Sequence, residues 1–249
     1  MSHLHSNALY SRSVTAPDFP SAKRVFDIAI CLLILPFLAV LTLFAALILP
    51  FISPGPVFFR QERVGYRGRR FKIYKFRTMK VAADTVVHQQ YFSQLVGSNA
   101  PMTKLDARGD SRLVPGGWLI RACGLDELPQ LINVLKGDMS FVGPRPCLPA
   151  EYDQYTSEQR ERFGATPGLT GLWQVSGKNR TTFDEMIRLD IEYARRQSLL
   201  LDLAIIAKTI PALVVQIIDT RRGRRQAAEA SSRLTEVPFP MVEVTTRAK

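Results

Sequence analysis

The stretch Ile28–Leu49, IAICLLILPFLAVLTLFAALIL, decides how the rest of this chain is read. It carries no charge, and about 20 apolar residues are enough for a helix to reach across the hydrocarbon of a bilayer. It is too long for the apolar part of a signal peptide, starts well inside the chain, and is not followed by a small-residue cleavage site. A buried core helix is the bland alternative, and the length argues against it. Lys23 and Arg24 precede the segment; Arg60, Arg63, Arg67, Arg69, Arg70, Lys72, Lys75 and Arg77 follow it. Positive charge beside a membrane segment favours the cytoplasmic side, so both ends ask for the same side. Pro36 has no N–H and interrupts helical hydrogen bonding. A re-entrant hairpin, going in and out through one face, meets both demands; a straight span is what length alone would permit.

The wider composition fits an anionic partner. The 249 residues include 33 Lys+Arg against 22 Asp+Glu, a net charge of +11. Such an excess suits nucleic acid, acidic lipid or a phosphorylated substrate, although a basic soluble protein shows the same balance. At 46% hydrophobic residues the chain has enough apolar material for a core. Cys31, Cys123 and Cys147 are odd in number and widely spaced, which excludes a disulfide framework and a C-x-x-C site and fits a reducing compartment. His3, His5 and His88 make neither a histidine metal site nor a Ser/His/Asp relay.

Outward from the apolar segment, Ser53-Pro54-Gly55-Pro56 ends it sharply. Val57-Phe58-Phe59 reads as the start of a strand, and Phe71–Met79 (FKIYKFRTM) mixes aromatics and cations at strand density. Residues 80–112 are polar and irregular, with a helical interval over Asp84–Leu95; Pro115-Gly116-Gly117 is a turn. Leu125, Leu128, Leu131, Ile132 and Leu135 recur at helical spacing, with Pro129 in the first turn and Gly137 at the end. Ser140–Pro149 reads as rigid loop, Glu151–Phe163 as a polar helix, Pro167–Gly171 as a turn and Leu172–Val175 as a short strand. Thr182–Arg196 reads as an amphipathic helix. Leu199–Ile218 is apolar but broken by Asp202, Lys208, Pro211 and Gln216, which suits interfacial helices or buried core. The polar tail from Thr220 begins with Arg221, Arg222, Arg224 and Arg225; disorder is its default, and the arginines can attract acidic lipid.

The helix spacing puts Asp126 and Glu127 at a helix N-terminus. Adjacent carboxylates there serve in most proteins as caps that favour the dipole. Three features argue for more. Arg121 lies five residues earlier, Gly143-Pro144-Arg145-Pro146 carries a second arginine on a loop stiffened by two prolines, and the chain is basic and carries an expected membrane segment. Carboxylates among arginines suit phosphoryl transfer: one can attack phosphorus and another can hold Mg²⁺, while guanidinium forks match phosphate oxygens.

Several blocks together resemble the bacterial sugar transferases, monotopic phosphoglycosyl transferases that act on polyprenyl phosphate. They are Lys23–Asp27 (KRVFD), Gly55–Gln61 (GPVFFRQ), Phe71–Met79, Leu125–Gln130 with Asn133–Pro146, Pro167–Val175 (PGLTGLWQV) and Leu189–Tyr193 (LDIEY), spread over about residues 22 to 218. The resemblance implies transfer of a sugar 1-phosphate from a UDP-sugar, galactose or glucose being the expected sugars, to undecaprenyl phosphate, initiating an exopolysaccharide or other lipid-linked glycan. It implies Asp126 as the nucleophile forming an aspartyl-phosphosugar, Glu127 as Mg²⁺ ligand, and Arg121, Arg145, Lys75 and Arg77 as substrate or phosphate contacts. Lys23 and Arg24 match the pair where the lipid phosphate would approach. The expected fold is α/β, mostly helical with a small sheet, and monotopic. Residues 1–22 would be a flexible N-terminus, 23–56 the re-entrant membrane helix, 57–218 a catalytic domain with interfacial helices on the cytoplasmic face of the bacterial inner membrane, and 219–249 a basic, disordered tail. Membrane lipid and downstream glycosyltransferases are the expected partners, and nucleic acid is not. The chain departs from the family pattern at Leu35-Pro36, where Ser-Pro is common, and at Cys123-Gly124, where Ser or Thr is common.

The competing class is a membrane-tethered module that binds acidic lipid or nucleic acid without catalysis. Such a binder has no need of Asp126–Glu127 beside two placed arginines, and its aromatic–basic interleaving should run along a long face rather than only through residues 58–77.

Overall fold

The computed structural model describes residues 21–80, 95, 98, 101–102, 112–177 and 180–235. The expected helical interval Asp84–Leu95 lies outside these residues except for its last member, which is helical, and the expected flexible N-terminus lies outside them up to residue 20. The elements in chain order are α1 (Ser21–Ile52), β1 (Phe58–Val64), β2 (Arg70–Phe76), α2 (Gly117–Ala122), a 3-10 turn (Leu125–Gln130) running into α3 (Leu131–Lys136), β3 (Ser140–Val142), α4 (Pro149–Tyr152), a second 3-10 turn (Gln159–Gly164), β4 (Gly168–Thr170), α5 (Leu172–Val175), α6 (Phe183–Arg196) and α7 (Leu199–Thr235). Among the described residues the fold is mostly helical with two small sheets.

Apolar composition shapes α1. One face buries Cys31 and Leu38 against Phe71, Ile73, Phe76, Leu131, Val134 and Met139, so the helix roofs the first sheet and α3. The rest faces outward: Leu33 is 81% exposed and Phe51 91%, which excludes a buried core helix. Pro36 and Pro50 both lie inside the helix, and the helical assignment runs through Pro36 without a break. The hairpin is therefore not two separate helices meeting at Pro36; a proline removes one bond of the ladder, and the remaining bonds of a long helix carry it past. Both ends of α1 nevertheless bond to the same body. Lys23, Arg24 and Asp27 hold one end, and Arg77 grips Ser53 at the other.

The two stretches read as strands form β1 and β2, and the structure pairs them antiparallel with Phe58 opposite Phe76 and Val64 opposite Arg70. The second sheet corrects two expectations. Ser140–Val142 and Gly168–Thr170, read as loop and turn, form a parallel pair with Ser140 opposite Gly168. Each is only three residues long, too short to show alternation. Leu172–Val175, read as a strand, is a helical turn, and Glu151–Phe163 divides into α4 and a 3-10 turn rather than one helix. α6 begins as expected: the Thr182 hydroxyl accepts from the Glu185 N–H and the Glu185 carboxylate accepts from the Thr182 N–H, a reciprocal cap.

α7 corrects the boundary set at residue 219. The helix continues to Thr235, so residues 219–235 are not a structureless tail; residues 236–249 lie outside the described set. A helix already nucleated on the body adds one bond for each further residue fixed, and Arg, Gln and Ala are favourable formers. One face of α7 packs on the body from Asp202 to Thr220, while Leu200, Leu203, Ile210, Val214, Val215 and Ile218 are exposed.

Candidate active site

Gly124 turns the chain from α2 into the Asp–Glu pair. Its φ of 71° is left-handed, a conformation that glycine adopts without the penalty a side chain carries, and its carbonyl accepts the Glu127 N–H at 3.1 Å. This accounts for glycine in the departure at Cys123-Gly124. The turn that follows is 3-10 rather than α, because Pro129 cannot donate the bond that would continue an α-helix. Asp126 is buried and Glu127 partly buried at its start.

β2 supplies the first cation. The Lys75 Nζ lies 2.7 Å from Glu127 Oε1. Asn133, fully buried on α3, ties β2 in place: its side-chain amide donates to the Lys72 carbonyl at 2.8 Å, and its side-chain oxygen accepts from the Tyr74 N–H at 3.2 Å. Arg145 supplies the second cation, with Nη1 4.0 Å from the same Glu127 oxygen. The Arg145 loop is seated by two bare backbones. A Cβ on Gly143 would lie 2.0 Å from the Thr166 carbonyl, and one on Gly168 would lie 2.0 Å from the Gly143 nitrogen. Arg162, buried and paired with Asp190, donates to the Arg145 carbonyl at 3.0 Å and to the Tyr155 hydroxyl at 2.8 Å.

These elements border a small, partly open cleft lined by Arg63, Lys75, Glu127, Gln130, Arg145 and Gln174, among others. Burial pushes Lys75 below the usual lysine range, opposed by the carboxylates of Glu127 and Asp126. Burial and the neighbouring Arg145 push Arg63 down to about 10. Arg63 Nε and Gln174 Oε1 are buried with no hydrogen-bond partner. Orphaned polar atoms are rare in folded proteins, and two in the lining of one cleft mark it as a place for a polar ligand. Three cations facing a single cleft suit phosphate oxygens.

The structure thus brings together Asp126, Glu127, Lys75 and Arg145. Arg121 sits half-buried on the last turn of α2, with its carbonyl accepting from Gln216 Nε2 at 3.3 Å. The other expected phosphate contacts, Lys23, Arg24 and Arg77, have partners within the protein. Lys23 is buried and bonds to Asp202, to the Tyr193 hydroxyl and to the Val142 carbonyl. Arg24 donates to the Val134 and Leu135 carbonyls at the C-terminal end of α3, where a cation meets the negative end of a helix. Arg77 is buried, donating to the Pro56 carbonyl and the Ser53 hydroxyl, each at 2.7 Å, and to the Gly55 carbonyl. These three cations clamp α1 to the body. Sequence alone does not mark Arg63, Gln130, Gln174 or Arg162 as site residues. Arg63 belongs to the basic run after α1, whose members are indistinguishable by sequence, and Asp190 and Gln174 fall in blocks that carry the family resemblance.

A divalent cation can be tested against this donor set. No group of three or more His, Cys, Asp or Glu side chains converges among the described residues, which excludes an all-protein cage there. Mg²⁺ does not require one: it takes hard oxygen from one or two carboxylates and completes its shell with phosphate and water. Glu127, partly exposed at the cleft beside Asp126, fits that demand.

Residues 19–216 match the bacterial sugar transferase family. The chain belongs to that family. Among its bacterial sugar transferase relatives is the exopolysaccharide production protein ExoY of Sinorhizobium fredii, 38% identical over 77% of this chain and 85% of ExoY. The UDP-glucose:undecaprenyl-phosphate glucose-1-phosphate transferase of Caulobacter vibrioides is 42% identical over 77% of this chain and 69% of its own. The galactosyl transferase CpsE of Streptococcus agalactiae is 42% identical over 78% of this chain but only 42% of CpsE, so the chain spans less than half of that longer relative.

Proposed function

We propose that this sugar transferase moves a sugar 1-phosphate from a UDP-sugar to undecaprenyl phosphate, the first step of a lipid-linked polysaccharide. The observation that carries the reading is the convergence of Lys75 and Arg145 on Glu127, next to buried Asp126, in a member of this family. The donor is a UDP-hexose, glucose or galactose, as the names of relatives suggest.

In the proposed reaction the donor diphosphate lies in the cleft with its oxygens toward Lys75, Arg145 and Arg63. An Asp126 carboxylate oxygen attacks the phosphorus that bears the sugar; the bond to the UMP oxygen breaks and UMP departs. An oxygen of the lipid phosphate then attacks the same phosphorus, and the Asp126 carboxylate leaves, regenerated. Two displacements replace one difficult step. Mg²⁺, held by Glu127 and the donor phosphates, would neutralise charge on the phosphate oxygens. Lys75 holds Glu127 in place, and the Arg162–Asp190 pair holds the Arg145 backbone, so the cations need not reorganise as charge moves.

The chain would sit on one leaflet. α1 has an exposed apolar surface, yet both its ends bond to the one body, which supports re-entrant over straight insertion. α7 packs along the body on one face and exposes apolar side chains on the other, supporting a helix lying in the interface. The cations flanking α1 favour the cytoplasmic face. The product would pass to glycosyltransferases that extend it. The test is transfer of radiolabel from a panel of UDP-sugars to undecaprenyl phosphate in the presence of Mg²⁺. Labelled lipid is expected from one or two hexoses; label that stays in the aqueous phase with every donor would overturn the reading.

A further inference from the structure

The family match ends at residue 216, but α7 runs on without interruption to Thr235. What it carries there is ordered by helical spacing. Ile210, Val214 and Ile218 follow one another at steps of four along the exposed face. The next positions on that face, three and four residues past Ile218, are Arg221 and Arg222, both exposed, and Arg225 continues the row. The face changes from apolar to cationic within one turn. Arg224, between them in sequence, leans the other way and stacks over the Trp118 ring at 5.0 Å. The opposite face is fixed to the body: Gln216 Nε2 donates to the Arg121 and Ala122 carbonyls, the latter at 2.9 Å. Asp219, the nearest carboxylate in sequence, faces Arg180 at 3.4 Å.

We propose that Arg221 and Arg222, extended by Arg225, form a docking ridge for anionic phospholipid headgroups. The occupant follows from continuity and charge. The exposed apolar residues of α7 need an acyl layer, the helix is fixed lengthwise against the body, and the next residues on the same face therefore lie at headgroup depth. Long arginine side chains leaving an apolar face reach to the phosphate layer, and cations there attract acidic lipid. The ridge is separate from the transfer chemistry and belongs to this chain beyond its family match. It would also bear on the site, because the same turns of α7 hold α2, which leads into Asp126 through Gly124.

Trp118, half-buried beside Arg224, is a local reporter, and Trp173, buried in the core, is a constant background. The full chain would be reconstituted in phosphatidylcholine bilayers and titrated with acyl-brominated phosphatidylglycerol or acyl-brominated phosphatidylcholine, reading the quenching of tryptophan. The expected result is preferential quenching by the anionic lipid, weakening as salt rises. Arg221→Gln/Arg222→Gln should lower that preference by about fivefold for each arginine removed, while Arg221→Lys/Arg222→Lys keeps most of it, which separates charge from misfolding. Equal quenching by both lipids in the wild type, or a preference untouched by the glutamine pair, overturns the proposal. So does a ridge that binds a short fluorescent RNA and shows no lipid preference.

Discussion

Two lysine–carboxylate pairs in this molecule look alike in sequence and do opposite things. Lys23 pairs with Asp202 where α1 meets α7, with side chains 7% and 1% exposed, and the Tyr193 hydroxyl and Val142 carbonyl complete the shell. Lys75 pairs with Glu127 at the cleft, 15% and 25% exposed, with Arg145 and Arg63 close by and polar atoms left over. The first pair is closed: every strong group is satisfied within the protein, and it fixes where the apolar helix α1 joins the body. The second is open on one side, and its surplus positive charge suits a ligand. What separates a clamp from a binding site here is how fully each charge is satisfied.

That contrast can be broken by substitution, the largest effect coming first. Asp126→Asn should abolish transfer, a loss of about four orders of magnitude or more for a missing nucleophile, with thermal unfolding unchanged; measurable turnover near the wild-type rate would remove Asp126 from that role. Asp202→Ala should act on stability instead, by roughly 3–5 kcal/mol for stranding a buried charge. Lys23→Met combined with Asp202→Leu should recover much of that loss, as read by denaturant unfolding in detergent. If Lys23→Met alone left stability intact and weakened only the KM for the lipid acceptor, the clamp would instead be a binding site. Lys75→Met should lower kcat/KM by about ten- to a hundredfold, the worth of a charged hydrogen bond, with little change in unfolding. The smallest effect is expected from Glu127→Gln at saturating Mg²⁺: the metal titration should shift to higher concentration, and an unchanged titration would argue against Glu127 as ligand.

The same division appears in the arginines. Arg77 and Arg162 are both buried, but Arg77 spends its guanidinium on the carbonyls after α1, while Arg162 spends part of its own on the Arg145 carbonyl. Only the second stands one bond from the cleft. The basic run after α1 therefore holds structural and site residues side by side: Arg63 and Lys75 line the cleft, and Arg77, two residues beyond Lys75, does not.

By itself the sequence determined the long apolar helix α1, two strand-forming stretches after it, the amphipathic helix from Thr182 and a helical start at Asp126–Glu127. Each of these rests on a signal carried within a few turns of chain: an uncharged run, a density of aromatics and cations, apolar residues at helical spacing. Only the tertiary structure decided that Ser140–Val142 and Gly168–Thr170 are strands, because three residues acquire that identity from a partner about 28 positions away. Only it decided which cations face the cleft. A charge's role depends on the carbonyls and carboxylates folded around it, and those that satisfy Lys23 lie 119 to 179 residues along the chain.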